Sequence, residues 1–180
     1  MNSAQQGGIV ARLRRLVSSG GKETAAATLY AEAVRRARRP ELFNQFGVPD
    51  TPAGRYEMVA WQVLVQLAAL TGRSGVDPRL GQVLVDHMFT DMDRSLREIG
   101  VGDLSVGREM RKLGETWQAR VVLAERVLPL PGRSTGPEAL QELAAFLEKN
   151  LAGDEGSADV DGPGLARDLL AVLQRLRAEG

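Results

Sequence analysis

The residues best placed to do chemistry in this chain are His87 and Asp91, four positions apart in a segment that predicts a helix. That spacing puts an imidazole and a carboxylate one turn apart on one face, as in half of a metal site or an acid–base pair. Carboxylates such as Glu57 or Glu115 would have to complete the site. Among 180 residues there is one histidine and no cysteine, which excludes disulfides, thiolate metal sites and paired histidine ligands within the chain. Our main expectation is therefore a non-enzymatic chain without metal or cofactor, with the His87–Asp91 site as the alternative.

The surrounding segment, residues 77–103, predicts an amphipathic helix with two polar flanks. At about 100° per residue, the following apolar residues share one arc and should face the core: Leu84, Val85, Met88, Phe89, Met92, Leu96 and Ile99. One flank carries His87, Asp91, Arg94 and Glu98, and the other carries Arg79, Asp86, Asp93 and Arg97. Two oppositely charged pairs fall at i, i+4, so the flanks fit either a binding surface or an ordinary charged helix face. Met88 and Met92 could either pack in the core or use their flexible side chains to contact an apolar partner.

Helix-start signals recur along the chain, whereas the alternation typical of strands is scarce. Four proline residues follow a plausible N-cap: Thr51-Pro52, Asp77-Pro78, Gly136-Pro137 and Gly162-Pro163. Further helices are predicted at about 9–18, 23–38 and 104–128, and residues 53–71 are apolar enough to form the central helix. We therefore predict an all-α fold, a single helical bundle of about six to seven helices with C-terminal amphipathic helices as an extension.

The predicted organisation has four parts. Residues 1–22 form a flexible or weakly amphipathic basic N-terminus, residues 23–151 the helical domain, residues 152–164 a Gly/Asp-rich linker, and residues 165–180 a C-terminal amphipathic helix.

Charge is unevenly distributed along a chain whose formal net charge is zero. Residues 1–39 carry a net charge of +6 and residues 134–180 a net charge of −5. The basic end could contact an anionic partner such as a membrane surface, or could simply be solvated, and specific DNA binding is not expected. The longest apolar stretch has 13 residues, against about 20 for a membrane span, and no secretory signal is evident. We expect a cytoplasmic protein, peripheral to a membrane at most.

Two stretches carry a family resemblance. They are RRPELFNQFGVPDTPAGRYEM, ending at Met58, and LVDHMFTDMDRSLREIGVGDLSVGREMRKL, ending at Leu113. In order and separation these motifs resemble the ubiquinol-cytochrome c chaperone family. The resemblance covers about residues 25–128, and the acidic region 134–180 is expected to lie outside it.

The resemblance implies an all-helical, non-enzymatic assembly factor for the cytochrome bc1 complex. Mitochondrial relatives hold newly made cytochrome b near the ribosome, together with a small partner protein. The expected binding residues are Arg39, Asp50, Arg55, Asp86, Met88, Asp91, Met92, Asp93, Arg97 and Glu98. Two alternatives remain open. The charged residues could clamp the domain internally, or the chain could be a helical adaptor for another membrane-protein or soluble client.

Overall fold

The computed structural model describes residues 19–71, 73–129, 136–152 and 159–179. These residues form helices and no strand, in this order: α1 (Ser19–Ala37), α2 (Pro40–Asn44), α3 (Pro52–Leu70), α4 (Arg79–Glu98), α5 (Asp103–Val127), α6 (Pro137–Leu151) and α7 (Gly162–Ala178). The predicted all-α bundle is confirmed. Helix α1 includes residues 19–22, so it reaches further toward the N-terminus than the predicted boundary at residue 23. The helix predicted at about residues 9–18 lies outside the described residues.

Helix α3 is the centre of the bundle, as its composition predicts. Fifteen of its 19 residues are buried, and Trp61 at its middle is fully enclosed. Helix α1 packs against α3 and α4, helix α7 packs against α3 and α6, and helix α5 connects α4 to α6. A helix that is apolar around most of its circumference needs neighbours on every side, and this arrangement supplies them.

The helix-start signals are largely correct. The Thr51 hydroxyl accepts the Gly54 N–H at 3.1 Å and caps α3. The Asp77 carboxylate accepts the Arg79 N–H at 2.8 Å at the start of α4. At the last helix the cap is Asp161, which accepts the Gly164 N–H at 2.8 Å, and not the predicted Gly162. An aspartate oxygen can satisfy an orphan N–H of the first turn, whereas glycine has no side chain to do so.

The C-terminal helices α6 and α7 share the main core with the other helices. Gly47, with φ +70°, lets the chain approach the residues before α7, because a Cβ there would lie 2.3 Å from the Asp159 carbonyl oxygen. The Phe46 carbonyl accepts the Asp161 N–H at 3.0 Å. A Cβ at Gly162 would lie 2.5 Å from the Ala144 carbonyl oxygen of α6. These close approaches fix the start of α7 against α6 and against the segment that precedes α3.

Two arginines join the C-terminal ends of α3 and α7. Arg73, just after α3, donates to the Leu176 carbonyl in the last turn of α7. Arg177 of α7 donates to the Ala68 carbonyl in the last turn of α3 at 3.2 Å, and also to the Pro129 carbonyl. A positive charge at a helix C-terminus satisfies unpaired carbonyls and complements the helix dipole. An arginine at the end of each helix therefore satisfies a carbonyl oxygen in the last turn of the other helix.

A buried arginine lies between α1 and α3. Arg36 donates to the Gln62 side-chain oxygen at 3.0 Å and to that of Gln66 at 2.7 Å. All three side chains are buried, and this desolvation lowers the pKa of Arg36 to about 10. The two glutamines on α3 thus satisfy a cation from the neighbouring helix inside the bundle.

None of the helices in the described ranges has both the length and the apolar character that crossing a membrane requires.

Candidate functional site

A groove of about 510 Å³ opens between the C-terminal end of α1, the first half of α3, the second half of α4 and the first half of α5. Its walls are mainly apolar and include Val34, Met92, Leu96, Ile99 and Leu113. Charged side chains of both signs surround these walls: Arg38, Arg55, Asp91, Glu98, Glu109 and Lys112. Apolar walls with a charged rim fit a segment that has an apolar face and polar flanks.

The apolar arc of α4 changes its environment along the helix. Leu84 and Met88 are fully buried, Met92 and Leu96 are half-buried in the groove, and Ile99 is 62% exposed. The prediction that Ile99 faces the core is therefore wrong. The end of α4 extends past the helices that cover its beginning, so the last residues of the same stripe face the groove.

The floor of the groove is a buried ion pair. The Arg120 Nε of α5 donates to Glu57 Oε1 of α3 at 3.0 Å, and its Nη2 donates to Glu57 Oε2. Trp61 Nε1 also donates to Glu57 Oε1, at 2.8 Å. The guanidinium carbon lies 5.4 Å from the centre of the Tyr56 ring and 5.8 Å from that of Phe146. The two buried charges therefore neutralise each other, and the Glu57 carboxylate has hydrogen-bond partners inside the protein, as a buried ion pair requires.

Asp91 lies at the side of the groove with its carboxylate already bound. Tyr30 donates its hydroxyl to Asp91 Oδ2 at 2.8 Å, and Arg94 donates to Oδ1. Burial, together with the hydrogen bond to Asp91, raises the pKa of Tyr30 well above its ordinary value. The His87 ring stacks on the Tyr30 ring at 6.5 Å, and its Nε2 lies 3.0 Å from Glu23 Oε1 without hydrogen-bond alignment.

The alternative metal site gains no support from this arrangement. Asp91 is occupied by a tyrosine and an arginine, and Glu57 is occupied by an arginine and a tryptophan. In the part of the chain that the structure describes, no group of three histidine, aspartate or glutamate residues is placed to hold a metal ion.

Four of the residues predicted to bind a partner line the groove: Arg55, Asp91, Met92 and Glu98. Asp50 lies beside them, because Arg55 Nε donates to Asp50 Oδ1 at 2.6 Å. Two predicted stretches of sequence, one before α3 and one in α4, therefore meet at one surface.

The other predicted residues lie elsewhere. Asp86, Asp93 and Arg97 occupy the second polar flank of α4, where Arg97 Nε donates to Asp93 Oδ2 at 2.8 Å. Arg39 forms an ion pair with Asp168 of α7. Met88 is fully buried in the core, so we leave it out of any binding surface.

The basic cluster at the end of α1 is divided between surface and interior. Arg35 and Arg38 are exposed, and Arg35 pairs with Glu32. Arg36 points inward to the glutamines of α3, and Arg39 pairs with α7. Two of the four arginines therefore stabilise the bundle.

Glu57 and Arg120 belong to the groove but were not among the expected binding residues. A signal for them exists in the sequence. Glu57 interrupts the apolar run of α3, and Arg120 follows Trp117 by three residues, within the apolar stripe of α5. Opposite charges inside the apolar stripes of two helices predict a buried pair if those helices pack together.

An apolar groove with a charged rim on a helical bundle is a feature of proteins that bind an amphipathic helix of a partner. A family model described as ubiquinol-cytochrome C chaperone matches residues 44–179. The crystal structure of the Cbp3 homolog from Brucella abortus has 30% sequence identity to this chain and a TM-score of 0.67. That similarity covers 94% of this chain and 88% of the other. No curated protein matches the chain. The chain therefore belongs to the ubiquinol-cytochrome c chaperone family, in agreement with its motifs.

The family match also corrects one expectation. It continues to residue 179 and includes α6 and α7, so the prediction that residues 134–180 lie outside the shared region is wrong. The structural reason is that the motif residue Gly47 lies directly against the chain just before α7. Family membership supports a chaperone role in the assembly of the bc1 complex.

Proposed function

We propose that this chain binds newly made cytochrome b, or another subunit of the bc1 complex, and holds an apolar helical segment of it during assembly. The family supports a client in bc1 assembly, and the groove carries the proposal that the client is held there. The chain would act by binding, without catalysis and without a cofactor of its own.

The groove suits a client that will later enter a membrane. An apolar helix exposed to water is unfavourable, and fully burying one large aliphatic side chain contributes about 1.5–3 kcal/mol. Met92, Leu96 and Ile99 offer adjacent apolar contacts along one helix. The charged rim keeps the empty groove compatible with water and leaves room for polar flanks on the client.

We assign Arg55, Asp91, Met92 and Glu98 to this client surface, with Asp50 holding Arg55 in place. The second flank of α4, with Asp86, Asp93 and Arg97, is our proposed surface for a small partner protein. Arg39 would act indirectly, through its ion pair with α7.

We further propose that the chain works at the cytoplasmic face of the inner membrane, where a membrane-protein client is made. The exposed arginines at the end of α1 could meet a ribosome or anionic lipid there. A loss of binding to ribosomes or to anionic vesicles when Arg35 and Arg38 are both replaced by serine would support this contact.

The test of the client groove compares two exposed apolar residues. Ile99 lies in the groove and is 62% exposed, whereas Val122 on α5 does not line the groove and is 48% exposed. Ile99→Asp should abolish co-purification of cytochrome b and lower the b-type haem signal in reduced-minus-oxidised spectra of host membranes. Val122→Asp should behave as the wild type. Because both sites are exposed, both variants should fold.

If Ile99→Asp and Val122→Asp co-purified equal amounts of cytochrome b and gave equal b-type haem signals, the groove would be refuted as the client site. Normal cytochrome b and bc1 activity in host cells lacking this gene would refute the bc1 function itself. If a different protein then co-purified with the wild type and was lost with Ile99→Asp, the groove would serve another client.

A further inference from the structure

Two glycines inside α5 have no steric reason to be glycine. Apart from the nearby backbone of α5 itself, a Cβ at Gly107 or at Gly114 would meet no atom within 4 Å, and neither residue has a positive φ. By contrast, a Cβ at Gly54 would lie 2.1 Å from a backbone carbonyl oxygen. Glycine in a helix interior weakens the helix relative to alanine, because it gains backbone freedom in the unfolded state. The consequence of these two glycines is a locally weakened helix.

The same half of α5 has little packing to compensate. Of the described side chains from Asp103 to Thr116, only Val106 is buried, and it lies outside the main core cluster. The buried series begins at Trp117, three residues after Gly114, and continues to the end of the helix. Few buried apolar contacts are the mark of a segment that opens easily.

The second half of α5 is held firmly. Arg120 is bound to Glu57 of α3, and its Nη1 donates to the Thr116 carbonyl at 2.6 Å within α5. Trp117 packs edge-on against Phe89 of α4, with ring centres 6.2 Å apart. Helix α5 therefore has an anchored half and a lightly packed half, and Gly114 lies at their boundary.

The lightly packed half forms one wall of the groove through Glu109, Lys112 and Leu113. At its far end it joins α4 through a turn in which Gly100 has φ +86°. A rotation about Gly114 would displace this wall at the cost of one hydrogen bond, which the Tyr56 hydroxyl of α3 donates to the Leu113 carbonyl at 3.2 Å, and would leave the Glu57–Arg120 floor in place.

We propose that residues 103–113 of α5, the wall segment, move about a hinge at Gly114 and control entry of an apolar helix into the groove. This inference rests on the proposed client function of the groove. Movement of the wall widens the groove to admit a helix, and its return covers the helix from water. The two glycines lower the cost of this movement, at the expense of helix stability.

Distance measurements across the groove test the movement directly. Because the native chain has no cysteine, spin labels can be placed at single introduced cysteines. The pair Arg38→Cys and Lys112→Cys spans the groove, and the pair Arg38→Cys and Glu125→Cys reports on the anchored half of α5. In the chain without client, we expect a broad or two-component distance distribution for the first pair and a narrow one for the second.

The variant Gly107→Ala/Gly114→Ala should narrow the first distribution and leave the second unchanged. Each alanine should raise Tm by about 2–4 °C, since glycine is the poorer helix former and the added methyl meets open space. Amide exchange within the wall segment should become about fivefold slower per substitution. Capture of a synthetic apolar helix from cytochrome b should slow at least threefold, in spite of the higher stability.

Gly102→Ala is the matched control. It adds the same methyl group in equally open space, but at the N-cap of α5 and not in its interior. It should leave the Arg38–Lys112 distribution and the capture rate unchanged. A single narrow distance across the wild-type groove, or unchanged capture by the double alanine variant, would overturn the hinge. A wall that moves in a chain that captures no client would instead overturn the proposed function and leave the hinge intact.

Discussion

Replacing Arg120 by methionine should cost about 3–5 kcal/mol of unfolding free energy, because it leaves a buried carboxylate without its cation. Glu57 is 2% exposed and Arg120 is 4% exposed, so water cannot take over the lost contacts. Methionine replaces the aliphatic part of the arginine side chain, which limits the loss of packing. After the change, Glu57 retains one of its hydrogen bonds, from Trp61. The loss is a large fraction of the 5–15 kcal/mol typical of a whole domain.

The double variant Glu57→Gln/Arg120→Met should recover part of this loss. A neutral glutamine oxygen can still accept the Trp61 N–H, and no charge remains buried. We expect a coupling energy of about 2 kcal/mol between the two positions in a double-mutant cycle. Urea unfolding followed by tryptophan fluorescence measures each corner of the cycle, since Trp61 and Trp117 are both buried. Equal m-values would show that the unfolded states are comparable.

A coupling energy below about 0.5 kcal/mol would refute the reasoning, since it would mean that the two charges do not depend on each other. A cost of Arg120→Met below about 1 kcal/mol would also refute it, because an exposed ion pair gives values of that size.

Three further predictions concern other parts of the molecule. Gly54→Ala should lower Tm by at least about 4 °C in calorimetry, because the added Cβ would lie 2.1 Å from the Pro49 carbonyl oxygen; an unchanged Tm would show that this approach can relax. Burial raises the pKa of both Tyr30 and Tyr56, so tyrosinate absorbance should be absent from the native protein at about pH 10.5 and appear on unfolding. These raised values contribute stability below the ordinary tyrosine pKa, which is lost as the pH rises above it. The pKa of Asp77 is lowered by its lysine partner on α1 and by a backbone N–H, so Asp77→Asn should reduce stability at pH 7, and that difference should disappear as the pH falls below about 4.

Local features of the sequence predicted the helices well, because their signals act over a few residues. Thr51 caps α3 as expected, since a side-chain oxygen needs only the next two or three N–H groups. Asp77 accepts the Arg79 N–H, but the N-cap position of α4 is Pro78, one residue later than predicted. The central position of α3 also followed from composition, because a helix apolar on most sides must be enclosed. The candidate site was predicted in part. Arg55 and Asp91 share the groove, while Met88 is buried in the core.

The sequence did not predict how deeply each residue is buried within a correctly predicted helix. A helical wheel gives the direction of Ile99 and Met88 relative to the axis of α4, and both directions are the same. It does not give the length over which neighbouring helices cover that face. Met88 therefore lies in the core and Ile99 lies in the groove, although both belong to the same apolar stripe of the helix.

The sequence by itself determined the helical class, the absence of cysteine chemistry and, through two long motifs, the family. Each depends on residue types and short spacings, which are present in the chain before it folds. Only the tertiary structure decided that Glu57 pairs with Arg120, 63 positions away. It also decided that the side-chain oxygens of Gln62 and Gln66 accept hydrogen bonds from Arg36, and that Gly47 lies against the chain before α7. These contacts join residues from different helices, and their geometry is set by how whole helices pack and by no local preference of the chain.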